Sequence, residues 1–183
     1  MRRFLFSRVR LVLYDVDLAT PPKLQEARLE ARYDILSAAT PEKHADLLGY
    51  LAARTVEQRF ERGEDCYVAH VHDKVAAYGW VSYREAEIGE LNKTMVVKPR
   101  EAYLYDFVTR PEFRGQNFYP ALLGRILKDL ERRRYRRVYI FVLRENAASR
   151  RGVSKAGFRQ FQVVTCLKIL GFRFYLGMPA FFR

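Results

Sequence analysis

The stretch from residue 102 to residue 143 constrains the fold more than any other. It opens with AYLYDFVT (102–109), a run of aromatic and β-branched residues that suits a pleated, half-buried strand. A turn carrying Arg114 and Gly115 follows. Apolar residues then recur at Ala121, Leu122, Leu123, Ile126, Leu127 and Leu130, spacings of three and four that make one face of a helix over 120–134. VYIFVL (138–143) is a short apolar run and reads as a buried strand. A strand, tight turn, amphipathic helix and strand in this order must bury the helix face against a sheet.

The flanking segments extend that sheet. Residues 4–16 and 31–38 read as strands, and 18–28, with Pro21 and Pro22, as a connection or short helix. Thr40 is expected to cap a helix with Pro41 at its first position, running to about Arg62 and ending at Gly63. Cys66–Val71 and Val75–Tyr83 form a hairpin pattern around His72, Asp73 and Lys74. Residues 85–90 read as a loop and Leu91–Val97 as a strand cut by Pro99. Ser149–Ala156 reads as a short helix ending at Gly157, and Phe158–Leu170 and Phe172–Leu176 as the last strands. The expected class is α+β: a mixed, mainly antiparallel central sheet flanked by helices, with an extra N-terminal strand segment. A chain of 183 residues fits one domain. It is divided here into an N-terminal extension, 1–30, packed on a domain of 31–183.

A hydrophobic fraction of 49% is ample for a core and excludes disorder for most of the chain. The net charge of +12 implies attraction to something anionic: nucleic acid, an acidic membrane surface or a phosphorylated small molecule. Arg132, Arg133, Arg134, Arg136 and Arg137 cluster, and Arg144, Arg150, Arg151, Lys155 and Arg159 follow. They suit a solvated basic face or a phosphate-facing one. Cys66 and Cys166 lack zinc-site spacing and suit core positions, and His44, His70 and His72 are too badly spaced for a metal site, so no metal is expected. No apolar run reaches the roughly 18 residues that span a bilayer. The N-terminus, interrupted by Arg8, Arg10 and Asp15, lacks the pattern of a signal peptide, so a cytoplasmic protein is expected.

The chemistry concentrates in YDFVTRPEFRGQNFYPALL (105–123). A strand that turns into a helix aims several backbone N–H groups at one spot, at the positive end of the helix dipole, and such a spot binds phosphate. Arg114 adds a guanidinium fork suited to phosphate oxygens. An ordinary strand-to-helix turn with an incidental arginine accounts for the same residues.

The run Thr109-Arg110-Pro111-Glu112-Phe113-Arg114-Gly115 resembles the V-x-P-x-(Y/F)-R-G pattern of the GNAT superfamily of acyl-CoA-dependent N-acyltransferases. The family's motif of Arg or Gln, two residues, Gly, one residue, then Gly or Ala falls on Arg114, Asn117 and Tyr119. Asn117 replaces the glycine, and Asn tolerates positive φ better than most residues. Tyr119 replaces the second small residue. Asn146 to Ser149, and Lys155-Ala156-Gly157-Phe158, are similar to the family's N-x-x-(A/S) and G-F elements. The resemblance spans roughly 31–170 and is specific over 103–158.

The resemblance implies acetyl-CoA or another acyl-CoA as co-substrate. Its pyrophosphate would lie against Arg114, Gly115, Gln116, Asn117, Phe118 and Tyr119. Its pantetheine arm would pair with Phe107, Val108 and Thr109, and a backbone N–H near Val108 would polarise the thioester. Asn146 would contact the pantetheine or adjacent backbone, with Ser149 beside it. The strands at 103–109 and 138–143 would splay to admit it. Where some members carry a glutamate on this strand, this chain has Tyr103, so Asp106 and Glu101 are the candidate bases. Alternation puts Glu101, Tyr103 and Tyr105 on one face and Asp106 on the other, a parity that a bulge would change. Where many members carry an acidic tyrosine the chain has Val153, leaving Tyr105, Tyr119 or no dedicated acid.

The pattern is similar to that of bacterial members linked to polysaccharide or lipid-conjugate biosynthesis. It favours a primary amine on a small molecule, such as an amino sugar or an amino-acid-like metabolite. A second reading is a membrane-surface or lipid-binding module of degenerate GNAT fold, in which LKILGFRFYLGMPAFFR (167–183) meets an anionic lipid interface. Nucleic-acid binding ranks last, since no aromatic-interleaved motif accompanies the arginines. A homo-oligomer is compatible with the sequence.

Overall fold

Alternation in the residue 75–82 strand sets the frame. Ala77 and Val81 face one side of the sheet, where the two later helices pack, and Tyr78 and Trp80 face the other. Both faces are therefore buried, and the strand lies deep in an eight-stranded sheet. The computed structural model describes residues 6–20, 22, 24–40, 47 and 51–183.

The strands are β1 (Phe6–Asp17), β2 (Arg32–Leu36), β3 (Asp65–Val71), β4 (Lys74–Ser82), β5 (Glu85–Ile88), β6 (Lys93–Val96), β7 (Glu101–Thr109), β8 (Arg137–Leu143), β9 (Arg159–Ile169) and β10 (Phe172–Leu176). Among the described residues, the helices with defined bounds are α1 (Ala53–Glu61), α2 (Phe118–Arg132) and α3 (Ala147–Lys155). The large sheet runs β10-β9-β1-β8-β7-β4-β3-β2 and is antiparallel except for β7 beside β8. It is the expected mixed, mainly antiparallel sheet with helices on both faces. Val56 and Phe60 of α1 pack on Trp80 and Tyr78, while Phe118, Leu122, Ile126 and Leu130 of α2 fill the opposite face.

The N-terminal strand is an interior member of this sheet. β1 pairs with β8 on one side and β9 on the other. The chain then crosses the helical layer and reaches the start of α2, where the Arg28 N–H donates to the Gln116 carbonyl at 2.9 Å, before β2 begins.

Four sequence expectations change. Residues 85–88 are not loop. They form β5, paired with β6, because Ala86 and Ile88 alternate into the core while Glu85 and Glu87 stay in solvent. The carboxy-terminal tail completes that hairpin through Thr94 and Arg183, which exchange both backbone bonds. The expected early helix is interrupted: Leu47 is helical, Leu51 and Ala52 are not, and α1 begins at Ala53, while 41–46 and 48–50 lie outside the described residues. Thr40 closes a turn with Ser37, and Pro41 and the residues that Thr40 would cap lie outside the described residues. Both later helices start two residues early, α2 at Phe118 behind Asn117 and α3 at Ala147 behind the Asn146 cap.

Both cysteines are buried and free. The arginine cluster lies at the carboxy-terminal end of α2, where Arg132 and Arg133 pair with Asp129 and Asp65, and Arg137 with Asp15. At 1.5 Å per residue that is about 20 Å from the start of the helix. No described helix is long and apolar enough to cross a membrane. On the edge strand β10, Phe172, Phe174 and Leu176 are exposed.

Candidate active site

β7 and β8 hydrogen-bond only from Glu101 and Arg137 to Leu104 and Ile140. Beyond that point β7 stays on β4, pairing Val108 with Tyr78 and Thr109 with Ala77, and leaves its other edge open. The expected splay is therefore present, and its local cause is a bulge. Tyr105 pairs with Trp80 and Val108 with Tyr78, so Asp106 and Phe107 together oppose the single residue Gly79. Asp106 takes φ 50°, a value that Asp tolerates better than most side chains. Gly79 lies beneath the Phe107 ring, which a Cβ there would approach to 2.2 Å.

The bulge changes the strand's parity. Tyr105, Asp106 and Val108 lie on the α1 side, and Phe107 turns to the α2 side, edge-on to Tyr119 at 5.2 Å. The simple alternation that separated Asp106 from Tyr105 does not hold. Asp106 accepts from Arg59 at 2.6 Å, and the same guanidinium lies 4.8 Å above Trp80 and 5.0 Å above Tyr105.

On the α2 side a cavity of about 700 Å³ opens along the free edge of β7. Phe107, Val108 and Thr109 line it, with Arg114, Gly115, Asn117, Phe118 and Tyr119 of the turn and Asn146 and Ser149 of α3. Gln116 is absent from the lining; its carbonyl faces Arg28. Asn117 takes φ 64°, as a residue standing for a glycine must, and its side-chain amide donates to the Glu26 carbonyl at 2.7 Å. The first N–H groups of α2 have no acceptor within the helix and face this cavity at the positive end of the dipole. Its charged lining is Arg28, Arg114, Arg151 and Lys155, with no carboxylate. Such a surface suits a strongly anionic, elongated ligand of the coenzyme A kind.

Asn146 accepts from the Ser149 N–H at 3.0 Å and so caps α3. Val153 is buried in the core, and the tyrosine beside α3 comes instead from α2. The Tyr119 ring lies on Gly152, where an added Cβ would come within 2.5 Å of it, and its hydroxyl bonds to Ser149. Burial raises the Tyr119 pKa above the ordinary range, so the hydroxyl keeps its proton at neutral pH.

Across the sheet, Tyr105 donates to the buried carboxylate of Glu64, which also accepts from Arg62 at 2.9 Å. Both groups line a trough of about 430 Å³ between α1 and the β5–β6 hairpin. Burial, then the bond to Glu64, raises the Tyr105 pKa. Neither Glu101 nor Asp106 lines either opening; Asp106 is held on Arg59, which does line the trough. Glu101 lies at the closed end of β7 and β8, accepting from the Tyr139 hydroxyl at 3.3 Å. Sequence reading missed Arg28, Arg59 and Glu64. None falls in a motif, and each is placed only by the fold. Arg151 and Lys155 were visible as part of a basic run, without their direction.

Residues 29–158 match the Acetyltransferase (GNAT) family. No curated protein sequence matches the chain. A protein of Novosphingobium aromaticivorans assigned to the GNAT family superposes with TM-score 0.61 at 16% identity, over 94% of this chain and 66% of that one. A Bacillus subtilis acetyltransferase in complex with CoA gives 0.52 at 16% identity, over 71% and 77%. An aminoglycoside acetyltransferase from an uncultured soil metagenomic sample gives 0.53 at 11% identity, over 69% and 87%. The chain spans 61% and 52% of two further matched structures. At these identities the likeness concerns the fold.

Proposed function

Because the chain belongs to the GNAT acetyltransferase family, we propose that it moves an acetyl or other acyl group from acyl-CoA to a primary amine of a small molecule, such as an amino sugar or amino-acid-like metabolite. The observation that carries this reading is the opening of β7 from β8 onto a cavity with a purely cationic charged lining. The neighbour that acetylates aminoglycosides supports a small amine acceptor. The reaction's co-substrate also favours the cytoplasm.

The thioester supplies the acyl group. Arg114 and the backbone from Gly115 to Tyr119 hold the diphosphate, and Phe107, Val108 and Thr109 offer the open strand edge to the pantetheine, with Asn146 and Ser149 opposite. A backbone N–H near Val108 polarises the carbonyl. Asp106 takes the proton that an amine carries at neutral pH, directly or through water. The nitrogen then bonds to the acyl carbon as the carbon–sulfur bond breaks, Tyr119 supplies a proton to the departing sulfur, and the second proton that the nitrogen sheds as the amide forms restores the Tyr119 hydroxyl. Tyr105 and Glu64 shape the acceptor trough. Glu101 serves the closed end of the strand pair.

The test is release of free thiol from acetyl-CoA in the presence of a panel of primary amines, with the mass of each amine followed. Amine-dependent thiol release with an acyl mass increment supports the reading. No turnover with any amine, at any acyl chain length, would sink it.

A further inference from the structure

We propose that Arg28, delivered by the segment that crosses from β1 to β2, is a diphosphate-binding residue of the acyl-CoA site. The inference rests on the acyl-CoA reading above and adds to it a residue outside the family's motif.

Three contacts fasten residues 26–28 across the start of α2. The Arg28 N–H donates to the Gln116 carbonyl at 2.9 Å. The Asn117 amide donates to the Glu26 carbonyl at 2.7 Å. Arg125, held 4.7 Å above the Tyr33 ring, pairs with the Glu26 carboxylate at 3.2 Å. Asn117 therefore does two things that glycine could not do together. It adopts φ 64° at the helix start, and it ties down the crossing strand of chain.

The latch neutralises Glu26 and leaves Arg28 facing the cavity. Arg28 has no carboxylate partner among the described residues, and neither do Arg151 and Lys155 on the α3 wall. Four cations around one cavity without an anion repel one another, an arrangement that an anionic ligand relieves. Arg28 is anchored through its own backbone to Gln116, inside the turn whose N–H groups face the cavity. Its side chain is thus tethered at the diphosphate end and away from the acyl end at Val108. A guanidinium suits this place because its planar fork reaches two phosphate oxygens.

Calorimetric titration of CoA and of 3′-dephospho-CoA into the wild type, Arg28→Ala and Arg28→Lys tests the proposal. Both ligands carry the diphosphate. Arg28→Ala should weaken both by about tenfold, the size of one charge-assisted contact, while Arg28→Lys keeps part of the affinity. The ligand-free melting temperature should stay at the wild-type value, since the backbone bond to Gln116 survives the substitution. Arg28→Ala affinities within twofold of wild type would overturn the assignment. So would a loss confined to CoA, which would move the contact to the 3′-phosphate, or a lowered ligand-free melting temperature, which would make Arg28 a structural residue. A wild type that binds neither ligand would remove the acyl-CoA reading, and this one with it.

Discussion

The extra residue in β7 turns Asp106 onto the side of the sheet that carries Arg59 and Tyr105. That places a fixed carboxylate beside the point where the strand edge opens, while Glu101 sits where the strands are still paired. The two candidate bases therefore separate experimentally. Asp106→Asn should lower kcat by a hundredfold or more and leave the KM for acyl-CoA little changed, because deprotonation belongs to the chemical step. Glu101→Gln should retain most of its turnover. Steady-state kinetics of both variants check this, and full activity in both would move the base to Glu64 or solvent. Tyr119→Phe keeps the ring on Gly152 and removes only the hydroxyl, so it too should lower kcat more than it raises KM. Of these residues the sequence showed identity and neighbourhood but not direction. The parity of Asp106 depends on a bulge opposite Gly79, and nothing in AYLYDFVT marks where an extra residue enters. The departure at Tyr119 was visible, but its fit over Gly152 needs two helices in register.

At the scale of elements, the strand-turn-helix unit was legible because three signals agree within it: β-branched and aromatic strand residues, an Arg-Gly turn and a helix-period apolar face. β5 was not, because four residues of alternation between two polar ends resemble a loop, although its partner β6 falls within the strand expected at Leu91–Val97. The place of β1 was also hidden, since its pairing partners are more than a hundred residues away. The packing of Phe107 over Gly79 gives this scale its prediction. Gly79→Ala drives a Cβ into the ring, and overpacking of that kind costs about 1–3 kcal/mol. Denaturant unfolding should show a lower midpoint, and acyl-CoA affinity should fall with it because Phe107 lines the cavity. Phe107→Leu in the Gly79→Ala background should recover part of the stability.

Across the whole molecule, tyrosines buried at the sheet surfaces set an alkaline limit. Burial pushes Tyr78 up to about 12 and raises Tyr67, Tyr83, Tyr103 and Tyr105 as well. Above the ordinary tyrosine value near 10 the unfolded chain releases these protons and the folded chain keeps them. The folded state then binds more protons, so stability falls as pH rises from about 10 through about 12. Tyrosinate absorbance should appear together with loss of secondary structure in that window. Tyrosinate absorbance from every tyrosine near pH 10, with the fold intact, would contradict the burial.

Four cations without a carboxylate surround the cavity at the start of α2, while in the arginine cluster at the far end Arg132, Arg133 and Arg137 have acidic partners. The most direct test of the account is therefore the melting temperature with and without acetyl-CoA, for the wild type and for Arg114→Glu. At ligand a hundredfold above its dissociation constant, linkage gives about 2.7 kcal/mol. For a domain of this size that is a rise of about 5–10 °C. Arg114→Glu puts an anion beside the diphosphate and should remove most of the rise, while its own ligand-free melting temperature stays close to wild type because Arg114 is exposed. A wild-type melting temperature that does not respond to millimolar acetyl-CoA or any longer acyl-CoA would contradict the account.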